Sequence, residues 1–182
     1  MPRITRVTTR RGDDGSTDLA DGRRVRKDSP RMAAIGSLDE LNSAIGAALS
    51  QNPTPKTADR LREIQNDLLC AGAMLAGSRK GIGPVLEPRR WESLEQEGAA
   101  LQEKLGPLEN FLLPGGTACA AALHLARAVC RRAERDVIAL SRSARIPSAV
   151  TLYLNRLSDI LFQYARLENK AAGVPETFWT SR

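Results

Sequence analysis

The chain has 182 residues, of which 4% are aromatic and 26% charged, with a formal net charge of +6 and a pI near 9.7. That length supplies one well-cored domain, and scarce aromatics beside abundant Ala and Leu favour close-packed helices over a β sandwich. A basic balance suits nucleic acid, anionic membranes or phosphorylated small molecules, but the charge is spread along the chain, which argues against a nucleic-acid-binding tail.

Three cysteines (Cys70, Cys119, Cys130) and one histidine (His124) occur without Cys-x-x-Cys or His-x-x-x-His spacing. That spacing argues against a protein zinc site, and the cysteines read as free buried thiols of a reducing compartment. The first residues lack the apolar core of a secretory signal. No apolar run approaches the ~20 residues of a membrane span. The expectation is a soluble, cytoplasmic, single-domain protein over residues 1–182, with no membrane or nucleic-acid partner.

Residues 1–28 form a polar leader without helical periodicity. Within it Gly12 and Gly15 let backbone N–H groups approach an anion, and Arg10, Thr17 and Lys27 offer donors. The Gly-Lys-Ser/Thr ending of a Walker A loop is absent. Read by itself, this pattern is more often an exposed arm. A first helix over about 30–50 starts at Pro30 behind the cap candidates Asp28 and Ser29. Its apolar side is Ile35, Leu38, Leu41, Ile45 and Leu49; its polar stripe is Asp39, Asn42, Ser43 and Gly46. That stripe fits a specific partner, such as an arginine, and a solvated face equally well.

A second helix spans about 57–77 with Leu61, Ile64, Leu68 and Leu75, and residues 78–84 form a breaker-rich loop. Pro88 opens a third helix to about residue 105, carrying Trp91, Leu94, Leu101 and Leu105. A loop over 106–116 ends in Pro-Gly-Gly, and Thr117 caps a fourth helix to about residue 143. On it Arg127, Arg131, Glu134 and Arg135 fall at i, i+4, i+7 and i+8, within roughly 100° of arc. Ala126, Cys130, Ala133 and Val137 make a small apolar stripe beside them. The helix therefore packs on one side and presents a guanidinium cluster next to it, for which a polyphosphate is the natural counter-charge. Arg132 points away from the cluster, and His124 reads as a packing or surface histidine. A fifth helix over about 149–171 stacks Asn155, Asp159, Phe162 and Arg166 on one side, with Leu154, Leu157, Leu161 and Tyr164 on another. Five helices with short links give an all-α antiparallel bundle over 29–171, followed by a tail over 172–182.

Six stretches, in this order, resemble the PduO-type ATP:cob(I)alamin adenosyltransferases: TRRGDDGST (9–17), RVRKDSPR (24–31), DELNS (39–43), FLLPGG (111–116), CRRAER (130–135) and YLNRLSD (153–159). The resemblance implies a homotrimer of five-helix bundles with active sites between subunits. Thr9, Arg10, Arg11, Gly12, Thr17, Asp18 and Lys27 would line ATP from one subunit. Arg131, Glu134, Arg135 and Asn155 would line it from the next, with Arg127, Asp159 and Phe162 nearby. Glu134 is the implied Mg²⁺ contact. Asp39 would pair with Arg131 across the interface, and Phe111 would crowd the lower face of the corrin. The implied reaction is attack of cob(I)alamin on the 5′ carbon of ATP, giving adenosylcobalamin and triphosphate.

Implied partners are a corrinoid reductase and an adenosylcobalamin-dependent enzyme. Arg11, where the family carries a small hydroxyl or amide residue, and Asp14, where lysine is common, depart from the pattern. A trimeric sensor that binds ATP or adenosylcobalamin without turnover, and a basic helical module for nucleic acid, are the competing readings.

Overall fold

The computed structural model describes residues 8, 10–77 and 83–180; Thr9 and the loop residues 78–82 lie outside the described residues. Five helices form the body: α1 (Pro30–Leu49), α2 (Pro55–Leu75), α3 (Pro88–Leu105), α4 (Ala118–Ser141) and α5 (Ser148–Ala171). Their ends follow local chemistry. Ser29 accepts from the Met32 amide at 3.4 Å and Thr117 from the Ala120 amide at 3.1 Å, each satisfying a donor the first turn leaves orphaned. Pro30, Pro55 and Pro88 start the first three helices, where a missing N–H is harmless. The second helix thus begins at Pro55, two residues ahead of the predicted start.

Cross-helix pairs fix the arrangement. Glu40 and Ser37 of α1 meet Arg132 and Asp136 of α4 in reversed order, so these helices are antiparallel. Arg127 and Glu134 of α4 meet Phe162 and Asn155 of α5, again reversed. Asn42 and Arg31 of α1 reach Gln65 and Leu75 of α2. Glu95 and Lys104 of α3, however, meet Arg156 and Lys170 of α5 in the same order, so α3 and α5 run parallel. The long 106–117 connection, which carries Phe111, is what crosses the bundle end to allow this.

The predicted apolar stripes face one core. Leu38, Leu41 and Ile45, Leu61, Ile64, Leu68 and Leu75, Leu94 and Leu101, and Leu154, Leu157, Leu161 and Tyr164 are all buried. Ile35, Leu49, Trp91 and Leu105 pack at its rim. Burial pushes the Cys119 thiol up to about 11 and raises those of Cys130 and Cys70. All three cysteines are free, and protonated thiols at neutral pH fit the reading of inert packing residues. Asp67, 6% exposed, is held by both Nε and Nη2 of Arg90 at 2.7 Å and by the Tyr153 hydroxyl at 2.9 Å. No helix is long and apolar enough to cross a membrane among the described residues.

One part of the leader departs from the expected loop. Ser16–Asp18 (β1) and Arg24–Arg26 (β2) form an antiparallel hairpin in which Thr17 faces Val25. It is tethered to the end of α2 by the Ala20 amide, which donates to the Ala76 carbonyl at 3.1 Å. Strands of three residues carry no readable alternation; cross-strand charge pairs hold them instead.

Candidate functional site

The loop before the hairpin is built around Gly12 and Arg24. A Cβ on Gly12 would lie 2.9 Å from both the Lys27 ammonium and the Ser16 carbonyl oxygen. Only glycine therefore lets the Lys27 Nζ fold over this turn. The Lys27 amide donates to the Gly15 carbonyl at 2.9 Å, and Arg10 adopts a left-handed φ of 59°. Arg24 donates to the Arg11 carbonyl at 2.6 Å and pairs with Asp14 and Asp18 at 3.1 and 3.2 Å. Bonds from Ser16, with Arg24 adding to them, hold the Asp14 carboxyl down to about 2.

Both departures from the family pattern are thereby absorbed: Asp14 clamps the turn, and Arg11 pairs with Asp18 at 2.8 Å. Asp18, expected to line a nucleotide, is engaged by two arginines. Arg10, Arg11 and Lys27 are exposed. Thr9 lies outside the described residues. Arg24 is the residue the sequence reading missed; its signal was an arginine within a short basic run and within reach of several acids.

On α4 the predicted face is present. Arg131 and Arg135 are exposed and form no ion pair among the described residues; Arg135 donates to the Arg131 carbonyl at 3.1 Å. Glu134 accepts from the Asn155 amide at 3.1 Å, so α4 and α5 place this acid and amide together. Arg132 turns to Glu40, away from the cluster. Arg127 is half-buried, its Nε has no partner among the described residues, and its guanidinium lies 6.0 Å from the centre of the Phe162 ring.

A second feature adjoins this face. Phe111, Leu108, Leu112, Arg127 and Phe162 line an open cavity of about 450 Å³, and Phe111 is 79% exposed. So large an apolar side chain left in solvent at a cavity mouth marks a surface for an apolar ligand. Phe162, which the resemblance implied near the site, shares this cavity. Asp159 does not: it lines a groove against α3 with Glu95, Arg156 and Gln163. Arg166 also leaves the predicted stack. It is 4% exposed and bonded to Glu176.

On α1, Asn42 and Gln65 exchange side-chain-to-backbone bonds at 3.3 and 3.2 Å within the chain, over Gly46. Asp39 is exposed beside the apolar α1–α2 groove of Met32, Ile35, Leu68 and Leu69. His124 is buried and edge-on to Phe162, with centroids 5.9 Å apart. No group of three His, Cys, Asp or Glu side chains gathers around a metal-sized point among the described residues. A single carboxylate, Glu134, beside a basic face fits a Mg²⁺ carried mainly by phosphate oxygens.

The chain matches the cobalamin adenosyltransferase family model over residues 7–168. It is 42% identical to a cobalamin adenosyltransferase of Cupriavidus metallidurans, covering 97% of this chain and 95% of that one. A corrinoid adenosyltransferase of Bacillus subtilis is 40% identical, over 93% and 89% of the two chains. A solved variant of the PduO-type ATP:corrinoid adenosyltransferase of Lactobacillus reuteri, complexed with cobalamin and ATP, superposes with a TM-score of 0.90. It shows 33% identity over 97% of this chain and all of that one. With a basic helix face, a glycine loop under a lysine and an exposed phenylalanine at a cavity mouth, this chain belongs to the cobalamin adenosyltransferase family.

Proposed function

We propose that this chain transfers the 5′-deoxyadenosyl group of ATP to the cobalt of cob(I)alamin, forming adenosylcobalamin and releasing triphosphate. The observation that carries the reading is the adjacency of two unlike surfaces. Arg127, at the apolar cavity that holds Phe111, continues into the uncompensated arginines 131 and 135 on the same helix. One end suits a corrin ring, the other a triphosphate.

Cobalt(I) supplies the electron pair of the new carbon–cobalt bond, and the C5′–oxygen bond breaks with its pair going to the triphosphate. No proton moves at the attacked carbon, so no general base is needed. What is needed is alignment and positive charge on the leaving group. Arg131 and Arg135 provide that charge, Asn155 orients Glu134, and Lys27 and Arg10 hold the nucleotide from the other side. Mg²⁺, when bound, supplies charge neutralisation on the phosphates beside Glu134. Phe111 wedges under the corrin and disfavours a lower axial ligand; a four-coordinate Co(II) is easier to reduce.

The active unit is a homotrimer in the cytoplasm, each chain a single catalytic domain. Among the described residues the ion pairs of the leader stay within it, so the α4 arginines are left open to a second copy. A second copy supplies the other wall, with its Asp39 facing Arg131. Incubating the protein anaerobically with ATP, Mg²⁺ and chemically reduced cobalamin tests the reading. The corrin spectrum shifts to that of adenosylcobalamin with stoichiometric triphosphate. ATP binding without triphosphate release would establish a sensor instead.

A further inference from the structure

The segment after α5 is bonded to the loop that carries Phe111. The Leu113 amide donates to the Thr177 carbonyl at 2.9 Å, and the Trp179 amide to the Phe111 carbonyl at 2.7 Å. The Asn110 side chain donates to the Trp179 carbonyl at 2.9 Å, and Leu112 and Phe178 form an antiparallel bridge. Phe111 has little packing of its own, so these main-chain bonds set its position. A two-stranded ribbon this short is unstable by itself; its root must be anchored.

The anchor is Arg166. Its Nε and Nη2 donate to the Glu176 carboxylate at 2.7 and 3.2 Å, and Arg166 is 4% exposed. Its remaining nitrogen, Nη1, has no partner among the described residues, and neither does Nδ1 of His124, itself 5% exposed. Both residues line one small cavity, with Gly115, Asn169 and Glu176, of about 20 Å³. One water needs roughly 10–15 Å³ on this measure. Leaving a buried guanidinium N–H and a ring nitrogen both unbonded is costly, because neither recovers the hydrogen bond it had in water. A water resolves both, because it accepts from the arginine and donates to a neutral imidazole. Burial, with Arg127 close by, holds the His124 pKa below its ordinary value, which favours that neutral form over an anion-binding imidazolium.

We infer that Arg166 is a positioning residue for Phe111: it clamps residues 174–179 onto the 110–113 loop through Glu176, and it reaches His124 through a single bound water. His124 in turn lies edge-on to Phe162, so the clamp braces two walls of the same cavity. The inference rests on the proposed role of Phe111 only for its effect on turnover; the clamp itself is a statement about structure.

The test uses the full chain with Arg166→Met and, because that variant can fold poorly, the milder Glu176→Gln and Glu176→Asp. Amide hydrogen exchange is followed at Leu113 and Trp179, with the α1 core amides of Leu41 and Ile45 as reference. Exchange at the two clamp amides rises roughly tenfold or more in Arg166→Met and Glu176→Gln while the reference amides hold, and Glu176→Asp recovers part of the protection. The KM for cob(I)alamin rises by roughly fivefold or more with that for ATP unchanged. A crystal structure of the wild type shows one water bonded to both Nη1 and Nδ1. Unchanged exchange at Leu113 and Trp179, an equal rise at every amide, an unaltered corrinoid KM, or an ion in the cavity would each overturn the inference. A wild-type protein inactive towards cobalamin but showing the same amide pattern would remove the enzymatic reading and leave the clamp standing.

Discussion

Gly116→Ala is the sharpest single perturbation of the loop that feeds α4. Gly116 has φ +100°, and an added Cβ would fall 2.1 Å from Oδ1 of Asn169. Asn169 is 5% exposed; it accepts from the Thr117 amide at 2.9 Å and donates to the Gly115 carbonyl at 3.2 Å. The backbone strain of alanine in this region costs about 1–3 kcal/mol. Expelling the Asn169 amide loses two hydrogen bonds at about 1 kcal/mol each. The smaller conformational freedom of unfolded alanine returns about 0.4–1 kcal/mol. The net loss is about 3 kcal/mol, which at a urea slope of about 2 kcal/mol/M lowers the midpoint by about 1.5 M. The assay is urea unfolding followed by far-UV circular dichroism at fixed protomer concentration, since association adds to apparent stability. Gly115→Ala is the control: a Cβ there meets nothing within 4 Å, so its stability stays within about 0.5 kcal/mol of wild type and its midpoint within about 0.25 M. Equal midpoints for the two variants would refute the reasoning.

Arg131→Ala and Arg135→Ala each lower adenosyl transfer by about 10²-fold or more, while both sites are exposed and thermal unfolding moves by less than about 0.5 kcal/mol. Arg90→Met strands the buried Asp67 carboxylate and destabilises by about 3–5 kcal/mol in urea titrations. Tyr153→Phe removes a single bond to the same carboxylate and costs about 1 kcal/mol. The His124 pKa is lowered in the fold by burial and Arg127, against Glu176, so the unfolded chain takes up the proton first. The stability from keeping it neutral is therefore fully present above its ordinary value of about 6.5 and is lost as pH falls through the lower folded value. Melting temperatures recorded from about pH 7.5 to about pH 5 fall more steeply for wild type than for His124→Gln.

The five helices were legible because proline, capping hydroxyls and an apolar period all act locally. Helix α4 shows this best: Thr117, the alanine stripe and the arginine spacing each sit within a few turns of one another. The hairpin was not legible, because Ser16–Asp18 and Arg24–Arg26 have no apolar alternation. Their pairing rests on Arg24 reaching Asp14 and Asp18, a choice among several acids that the chain order does not reveal. Arg166 misled for a related reason: helical spacing placed it with Asn155 and Phe162, yet the side chain turns to Glu176 on a segment with no periodicity. Asp159 shows the limit of a one-helix projection, since α3 packs alongside α5 and takes its side of the stack.

The distribution of counter-charge gives the basic face its meaning. A chain of +6 has acids enough to neutralise most arginines locally, and it uses them so. Arg11, Arg24 and Arg26 pair within the leader, Arg132 takes Glu40, Arg156 takes Glu95, and Arg90 takes Asp67. Arg131 and Arg135 are passed over, and Glu134, the acid nearest in sequence, is engaged by Asn155. Like charges held one helical turn apart repel. A fold that pairs so many of its arginines yet leaves these two side by side on one exposed helix face accepts that repulsion for the free chain, and a bound polyanion removes it. On the proposed reading that polyanion is a triphosphate, which gains charge at the departing oxygen as it leaves C5′. On that reading binding and catalysis draw on the same unpaired guanidiniums, with the larger gain in the transition state.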